Sequence, residues 1–160
     1  MSGDQARVSV SVSVPIDAAF EIFTTEIDTW WRRGPKFRHA GTRTGLICLE
    51  PGVGGRLFES IDDKPAARVF EVGRVSVWDP PRRVVFSWRN ATFAPHEKTE
   101  VEVQFAPTRS GTLVTVTHRG LASLRDDHPA RHGQVGAAFS RAIGLWWGDQ
   151  MTSLRERCAA

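Results

Sequence analysis

The chain has 160 residues, of which 41% are hydrophobic and 24% charged. This is the size and composition of one globular domain, and it excludes intrinsic disorder. The net charge of +3 includes arginine pairs, such as Arg32-Arg33 and Arg82-Arg83, scattered among acidic residues. A nucleic-acid-binding protein would show a denser basic stripe with stacking aromatics beside it, so we expect no nucleic-acid partner.

The N-terminal part of the chain carries one strand signal followed by helical spacing. Residues 7–14 read RVSVSVSV, and this strict alternation predicts a strand with its valines on the buried face. Pro15 ends the strand and suits the first turn of a helix, and Phe20, Phe23 and Ile27 then recur at helical spacing. The pattern predicts a helix over 16–25, a second short helix ending at Trp30-Trp31, and a basic loop over 32–43.

Six further strands are predicted in the middle of the chain, because short apolar or alternating runs are separated by turns rich in Gly, Pro and Asp. The turns are predicted at 51–55, 62–65, 79–81 and 107–111. The strands are predicted over 46–50, 56–60, 67–78 with a bend at Gly73, 84–89, 97–105 and 112–118. With the first strand they make seven, and their short connections indicate an antiparallel meander.

A long helix is predicted at the C-terminal end. Residues 121–133 are predicted to be a loop or irregular helix, interrupted by Pro129 and Gly133. From 134 to 157 the period is helical, and one stripe runs through Val135, Phe139, Ala142, Trp146, Gln150 and Leu154, with Ile143 and Trp147 beside it. No other element is long enough to cover a six- or seven-stranded sheet. The sequence therefore predicts one α+β domain over 1–160, in which a curved antiparallel sheet wraps this helix around an apolar hollow.

Four segments of the chain resemble a known family. They read VPIDAAFEIFT (14–24, followed by Trp30-Trp31), EPGVGGRLFE (50–59), GRVSVWDPPRRVVFSW (73–88) and GTLVTVTHRGL (111–121). In this order they are similar to the SRPBCC, or START-like, superfamily with the helix-grip fold, and within it to the AHSA-type family related to the activator of the heat-shock chaperone ATPase. The segments mark turns and core positions, and none is a catalytic motif. The string GLWWGDQM (144–151) departs from the Gly-Trp pair and leucines often found there, and doubles the indole bulk beside the hollow.

The resemblance implies a protein that binds a small hydrophobic molecule in an internal cavity, since relatives include carriers of lipids and hormones, aromatase and cyclase enzymes, and co-chaperones. Six tryptophans and nine phenylalanines fit such a cavity. The helix-grip arrangement predicts these ligand-binding residues: Phe23, Trp30, Trp31, Phe37, Trp88, His118, Phe139, Ile143, Trp146 and Trp147. No catalytic residue, cofactor or metal ion is predicted.

His118 is the polar residue best placed to meet a ligand. Alternation in the last strand puts it on the inner face with Val114 and Val116, where an imidazole could act as a general base or hydrogen-bond a ligand. Because the sequence shows no side-chain partner, the favoured interpretation is a histidine tied to a backbone carbonyl.

Glu59 is a second polar candidate, because the family pattern makes it a possible inward-facing acid. A salt bridge with Arg68 or Arg74, or an exposed position, is the favoured interpretation. The remaining histidines lie in predicted loops without the spacing of metal ligands: His39, His96, His128 and His132.

Three functions stay open after the sequence has been read. The first is binding of a small apolar or aromatic ligand. The second is a co-chaperone-like or stress-response interaction module, for which the basic loop 32–43 is the candidate surface. The third is a cyclase or dehydratase that uses the same cavity with His118 and Glu59 as acid and base groups.

Location and assembly are expected from simpler features. Cys48 and Cys158 show no CxxC spacing, and no signal peptide or membrane-spanning run is predicted, so a reducing cytoplasm is expected. Exposed edge strands make a homodimer plausible.

Overall fold

The computed structural model describes residues 4–39, 45–61, 68–89 and 93–160. The strands are β1 (Gln5–Val12), β2 (Leu46–Leu49), β3 (Arg56–Ser60), β4 (Val69–Asp79), β5 (Arg83–Trp88), β6 (Thr99–Pro107) and β7 (Thr112–Arg119). The helices are α1 (Ile16–Thr24), α2 (Ile27–Trp30) and α3 (Gly136–Ala159), and two 3-10 turns cover Leu121–Ser123 and Pro129–Arg131.

One antiparallel sheet contains the strands in the order β1-β7-β6-β5-β4-β3-β2. Consecutive strands pair from β2 to β7, as in the predicted meander, and β1 pairs with β7 along its whole length, from Gln5 opposite Arg119 to Val12 opposite Thr112. The sheet curls into a half-barrel around α3, with the two short helices beside it. The predicted helix-grip fold is confirmed.

The ends of the predicted elements differ from the observed ends by at most two residues. Alternation continues past the last ladder pair at one of these ends, where Val14 lies beyond β1 in the bend that leads into Pro15. The predicted turn at 62–65, the first residue of the strand at 67, and the end of the basic loop at 40–43 lie outside the described residues. Within the described ranges, no helix has both the length and the apolar character needed to cross a membrane.

Alternation along the central strands fills the core. The inward positions of β5, β6 and β7 are each at most 1% exposed: Val84, Phe86, Val101, Val103, Val114 and Val116. On the outer face, Glu102 of β6 is held by Arg83 of β5 and Arg119 of β7. The inner face is therefore apolar along its middle, and a polar residue on that face stands near a strand end.

Helix α3 buries a face that is rotated slightly from the predicted stripe. Trp147, predicted beside the stripe, is 1% exposed, whereas Trp146 on the stripe is only half-buried. Val135 precedes the helix and is 52% exposed. Because the chain has an indole at both 146 and 147, hydrophobicity alone did not indicate which of the two faces the sheet.

Candidate ligand-binding cleft

A cleft of about 760 Å³ opens between the first half of α3, the ends of β5 and β7, and residues 35–39. Seven of the predicted ligand-binding residues line it: Phe37, Trp88, His118, Phe139, Ile143, Trp146 and Trp147. They come from four separate parts of the chain, and the fold brings them to one place. That they bind a ligand stays a prediction.

Four indoles form one packed cluster at this cleft. Trp146 and Trp147 meet edge to face with ring centroids 5.1 Å apart, and Trp31 stacks on Trp88 at 5.9 Å. Phe37 extends the cluster, 5.5 Å from Trp146. Edge-to-face and offset pairs of this kind are favourable arrangements of aromatic rings, so the wall is formed before any ligand arrives.

Three of these indoles use their N–H groups within the protein. The acceptors are the Phe37 carbonyl for Trp31 (3.0 Å), the Lys36 carbonyl for Trp146 (2.9 Å) and His118 Nδ1 for Trp147 (3.1 Å). The bonds attach the loop and β7 to the cluster. Of the three rings only Trp146 is half-buried, so a ligand there would meet its ring rather than its N–H group.

His118 is enclosed, and both of its ring nitrogens are hydrogen-bonded. Because Nδ1 accepts the indole N–H of Trp147, the proton of the neutral ring lies on Nε2, which donates to Thr99 Oγ1 at 2.6 Å. Thr99 donates in turn to the carbonyl of Trp88 at 3.3 Å. Burial lowers the pKa of His118 to about 3, so the ring is neutral near pH 7.

The favoured interpretation of His118 as a histidine tied to a backbone carbonyl is wrong. Its partners are the side chains of Thr99 on β6 and Trp147 on α3, which lie 19 and 29 residues away in the chain. With the Nδ1 lone pair occupied and Nε2 protonated, the ring has no free position from which to accept a proton. His118 therefore connects the two walls of the cleft.

Three predicted residues lie behind the cleft wall. Phe23 and Trp30 are 0% and 1% exposed, and their ring centroids are 4.8 Å apart. The Trp30 indole donates to the carbonyl of Ile22 at 3.1 Å, which fixes α2 against α1. Trp31 is 4% exposed and supports the indole cluster from below.

A histidine–carboxylate pair lies at the cleft, and the sequence did not predict it. Glu59 on β3 is 1% exposed, and its Oε1 accepts the backbone N–H of His39 at 2.7 Å and lies 3.3 Å from His39 Nδ1. The His39 ring packs on Phe70 with centroids 4.0 Å apart, and it lines the cleft. A buried carboxylate thus orients a histidine at the edge of the aromatic wall.

The favoured interpretation of Glu59 as exposed is wrong, because its side chain is 1% exposed, and one of its two expected salt-bridge partners is engaged elsewhere. Arg74 on β4 pairs instead with Glu71 at 2.9 Å. Alternation did place Glu59 on the face of Leu57, which is 1% exposed, so the signal for burial was present. Nothing in the sequence connected it with a loop histidine.

The described part of the basic loop uses its cations within the protein. Arg38 is 3% exposed and bonds Asp28 at 2.7 Å. Arg33 approaches the same carboxylate at 3.4 Å, and Lys36 reaches Asp149 at 3.1 Å. Arg38 is therefore unavailable to an acidic partner, whereas the exposed pairs of Arg33 and Lys36 are each worth under about 1 kcal/mol.

The side chains that most often bind metal ions are dispersed over the described ranges. Across the described ranges, no three His, Cys, Asp or Glu side chains are grouped as metal ligands. Cys48 and Cys158 are free thiols, and burial raises the pKa of each.

Comparison with known proteins places this geometry in a family. Residues 13–143 match the family model described as Activator of Hsp90 ATPase homolog 1-like protein. No curated protein matches the chain.

Solved structures share the fold. Protein MLL2253 from Mesorhizobium loti is 17% identical with a TM-score of 0.63, over 95% of this chain and 94% of its own. DynU16, from the dynemicin biosynthetic locus, is 18% identical with a TM-score of 0.64, over 98% of this chain and 48% of its own. The Aha1 dimer from Colwellia psychrerythraea is 13% identical with a TM-score of 0.59, over 96% and 95%.

Proposed function

The chain belongs to the family of Activator of Hsp90 ATPase homolog 1-like proteins, and on this premise we propose that it binds a small hydrophobic or aromatic molecule in the cleft beside α3. The observation that carries the proposal is a cleft of about 760 Å³ walled by packed indoles. Ligand sites in proteins are typically concave, mostly apolar and of this size.

The expected affinity of a ligand can be estimated from the apolar surface that it buries. An aromatic ligand that hides about 200 Å² of apolar surface contributes about 5 kcal/mol at roughly 25 cal/mol per Å². The costs of association reduce this value. Affinities weaker than about 1 μM are therefore expected, even for a ligand that also makes one or two polar contacts.

Filling the cleft tests the proposal. Ala142 lies on the cleft wall in α3, and Ala142→Phe places a ring in the space. Wild-type protein is titrated with a library of fused-ring aromatics and fatty acids, with tryptophan fluorescence and native mass spectrometry as readouts. We expect at least one compound to bind, and its affinity to fall about tenfold or more in Ala142→Phe.

The matched control is Ala137→Phe, the same change one and a half turns earlier on the same helix at an exposed position. It should leave affinity unchanged. If no compound binds, or if both variants weaken binding equally, the proposed cleft is not a ligand site.

The two alternatives have less support. An enzyme that uses His118 as a base would need a ring nitrogen that is not already hydrogen-bonded, and both are engaged. For an interaction module that uses the basic loop, Arg38 is buried in an ion pair with Asp28, and no partner of stated chemistry is indicated by the remaining exposed cations. We place the protein in a reducing cytoplasm, which is consistent with two free cysteines.

A further inference from the structure

The pair of His39 and Glu59 gives the cleft one oriented polar group. Resting on the proposed function, we propose that the ligand is an aromatic compound with a hydroxyl group of the phenol class, and that His39 Nε2 accepts a hydrogen bond from that hydroxyl.

The carboxylate decides which ring nitrogen of His39 faces a ligand. A neutral His39 ring would donate from Nδ1 to the Glu59 carboxylate, whose Oε1 lies 3.3 Å away, because an ionised carboxylate accepts hydrogen bonds and cannot donate them. Neutral imidazole has one protonated nitrogen, and Nε2 then presents a lone pair. Among the residues that the structure describes, Nε2 of His39 has no hydrogen-bond partner.

The ring is held in place before a ligand arrives. The same Glu59 oxygen accepts the backbone N–H of His39 at 2.7 Å, which fixes the main chain as well as the side chain. Phe70 supports one face of the ring, with centroids 4.0 Å apart. A polar group that is fixed in advance contributes to affinity because little freedom remains to be lost.

The surrounding groups favour a neutral donor over an anion. Arg38, also on the cleft wall, is bound to Asp28 at 2.7 Å, and Lys36 is bound to Asp149 at 3.1 Å. Both ring nitrogens of His118 are already hydrogen-bonded within the protein. A hydroxyl on an aromatic ring meets these conditions, since it donates to Nε2 while its ring packs on the indoles.

Three matched probes test the inference by isothermal calorimetry: naphthalene, β-naphthol and β-naphthoate. One neutral hydrogen bond corresponds to roughly a three- to tenfold change in affinity, so wild-type protein should bind β-naphthol tighter than naphthalene by that factor. In His39→Phe, which keeps an aromatic ring against Phe70, the ratio of the two affinities should fall to about one. His39→Gln should retain part of the preference.

The control is His132→Asn, which removes the other exposed histidine on the cleft wall at a left-handed position that asparagine tolerates. It should keep the full preference for β-naphthol. The comparison of probes on wild-type protein needs no variant, so a variant that fails to fold does not remove the test.

The outcomes separate this inference from the proposed function. Equal affinity of wild-type protein for naphthalene and β-naphthol, or tighter binding of β-naphthoate, overturns the hydroxyl assignment and leaves the ligand site intact. Binding of none of the three probes, together with an empty result from the wider library, overturns both.

Discussion

Acid should destabilise this fold through His118, and the structure gives both the sign and the size of the effect. Burial lowers the pKa of His118 from 6.5 to about 3, while in the unfolded chain the imidazole returns to its ordinary value. Between these two values the unfolded state binds a proton that the native state does not. The free energy of unfolding therefore falls as pH is lowered from 6.5 towards 3.

The slope and the total follow from linkage. One group that titrates only in the unfolded state changes the folding equilibrium up to tenfold per pH unit, or about 1.4 kcal/mol. Over the interval between the two pKa values this amounts to about 5 kcal/mol, which is comparable with the whole stability of a small domain. The contribution is absent above pH 6.5, where the ring is neutral in both states.

The comparison that isolates this effect is His118→Asn. The asparagine amide oxygen takes the place of Nδ1 and can still accept the indole N–H of Trp147, but it does not titrate. Urea denaturation is followed by circular dichroism at a series of pH values for both proteins. The variant should be less stable at neutral pH, because it loses ring volume.

The difference between the two proteins should shrink steadily below about pH 6, because only wild-type protein carries the histidine penalty. The carboxylates of the chain titrate in both proteins and cancel in the comparison. Stability curves that stay parallel down to about pH 4 would refute the burial argument for His118.

Two further predictions concern stability and are checked by thermal and urea denaturation. A Cβ on Gly73 would lie 1.6 Å from a backbone carbonyl oxygen of β5, so Gly73→Ala should cost about 2 kcal/mol or more. Gly148→Ala, the same change in α3 with nothing within 4 Å, should instead stabilise the protein by about 0.5–1 kcal/mol. Arg38→Met leaves the Asp28 carboxylate without its buried partner and should cost about 2–4 kcal/mol. Arg33→Met removes an exposed partner of the same carboxylate and should cost under about 1 kcal/mol; equal losses in the two arginine variants would contradict the role given to Arg38.

The elements were predictable because they depend on short-range pattern. Alternation in 7–14 and 112–118 and the helical period after 134 placed β1, β7 and α3 to within two residues. Gly73, where the sequence predicts a bend, lies between two irregularities in the register of β4. One is in the ladder with β3, next to Leu57, and the other is in the ladder with β5, between Val75 and Val77. The pairing of β1 with β7 needed more than pattern, because it joins residues about a hundred positions apart, as the Ser9–Thr115 hydrogen bond shows.

The site was predictable in its apolar part and not in its polar part. Phe139 followed from the helical period, and the family resemblance placed Trp88 inward, whereas the period did not decide between Trp146 and Trp147. Hydrogen bonds depend instead on angles and distances between distant segments. The partners of His118, and the contact of His39 with Glu59, became visible only once the loop and β3 had been placed together.

The distribution of hydrogen bonds determines how this cleft can select a ligand. Trp31, Trp146 and Trp147 donate their N–H groups within the protein, and His118 is engaged at both nitrogens. On the proposed function the wall would recognise ring shape through dispersion and burial, which discriminate weakly between compounds that differ by a methylene group. A hydrogen bond from a ligand hydroxyl to His39 would discriminate against the analogue that lacks the hydroxyl, by roughly three- to tenfold at this exposed position. Selectivity in this cleft should therefore depend on His39, and the affinity common to all its ligands on the tryptophans.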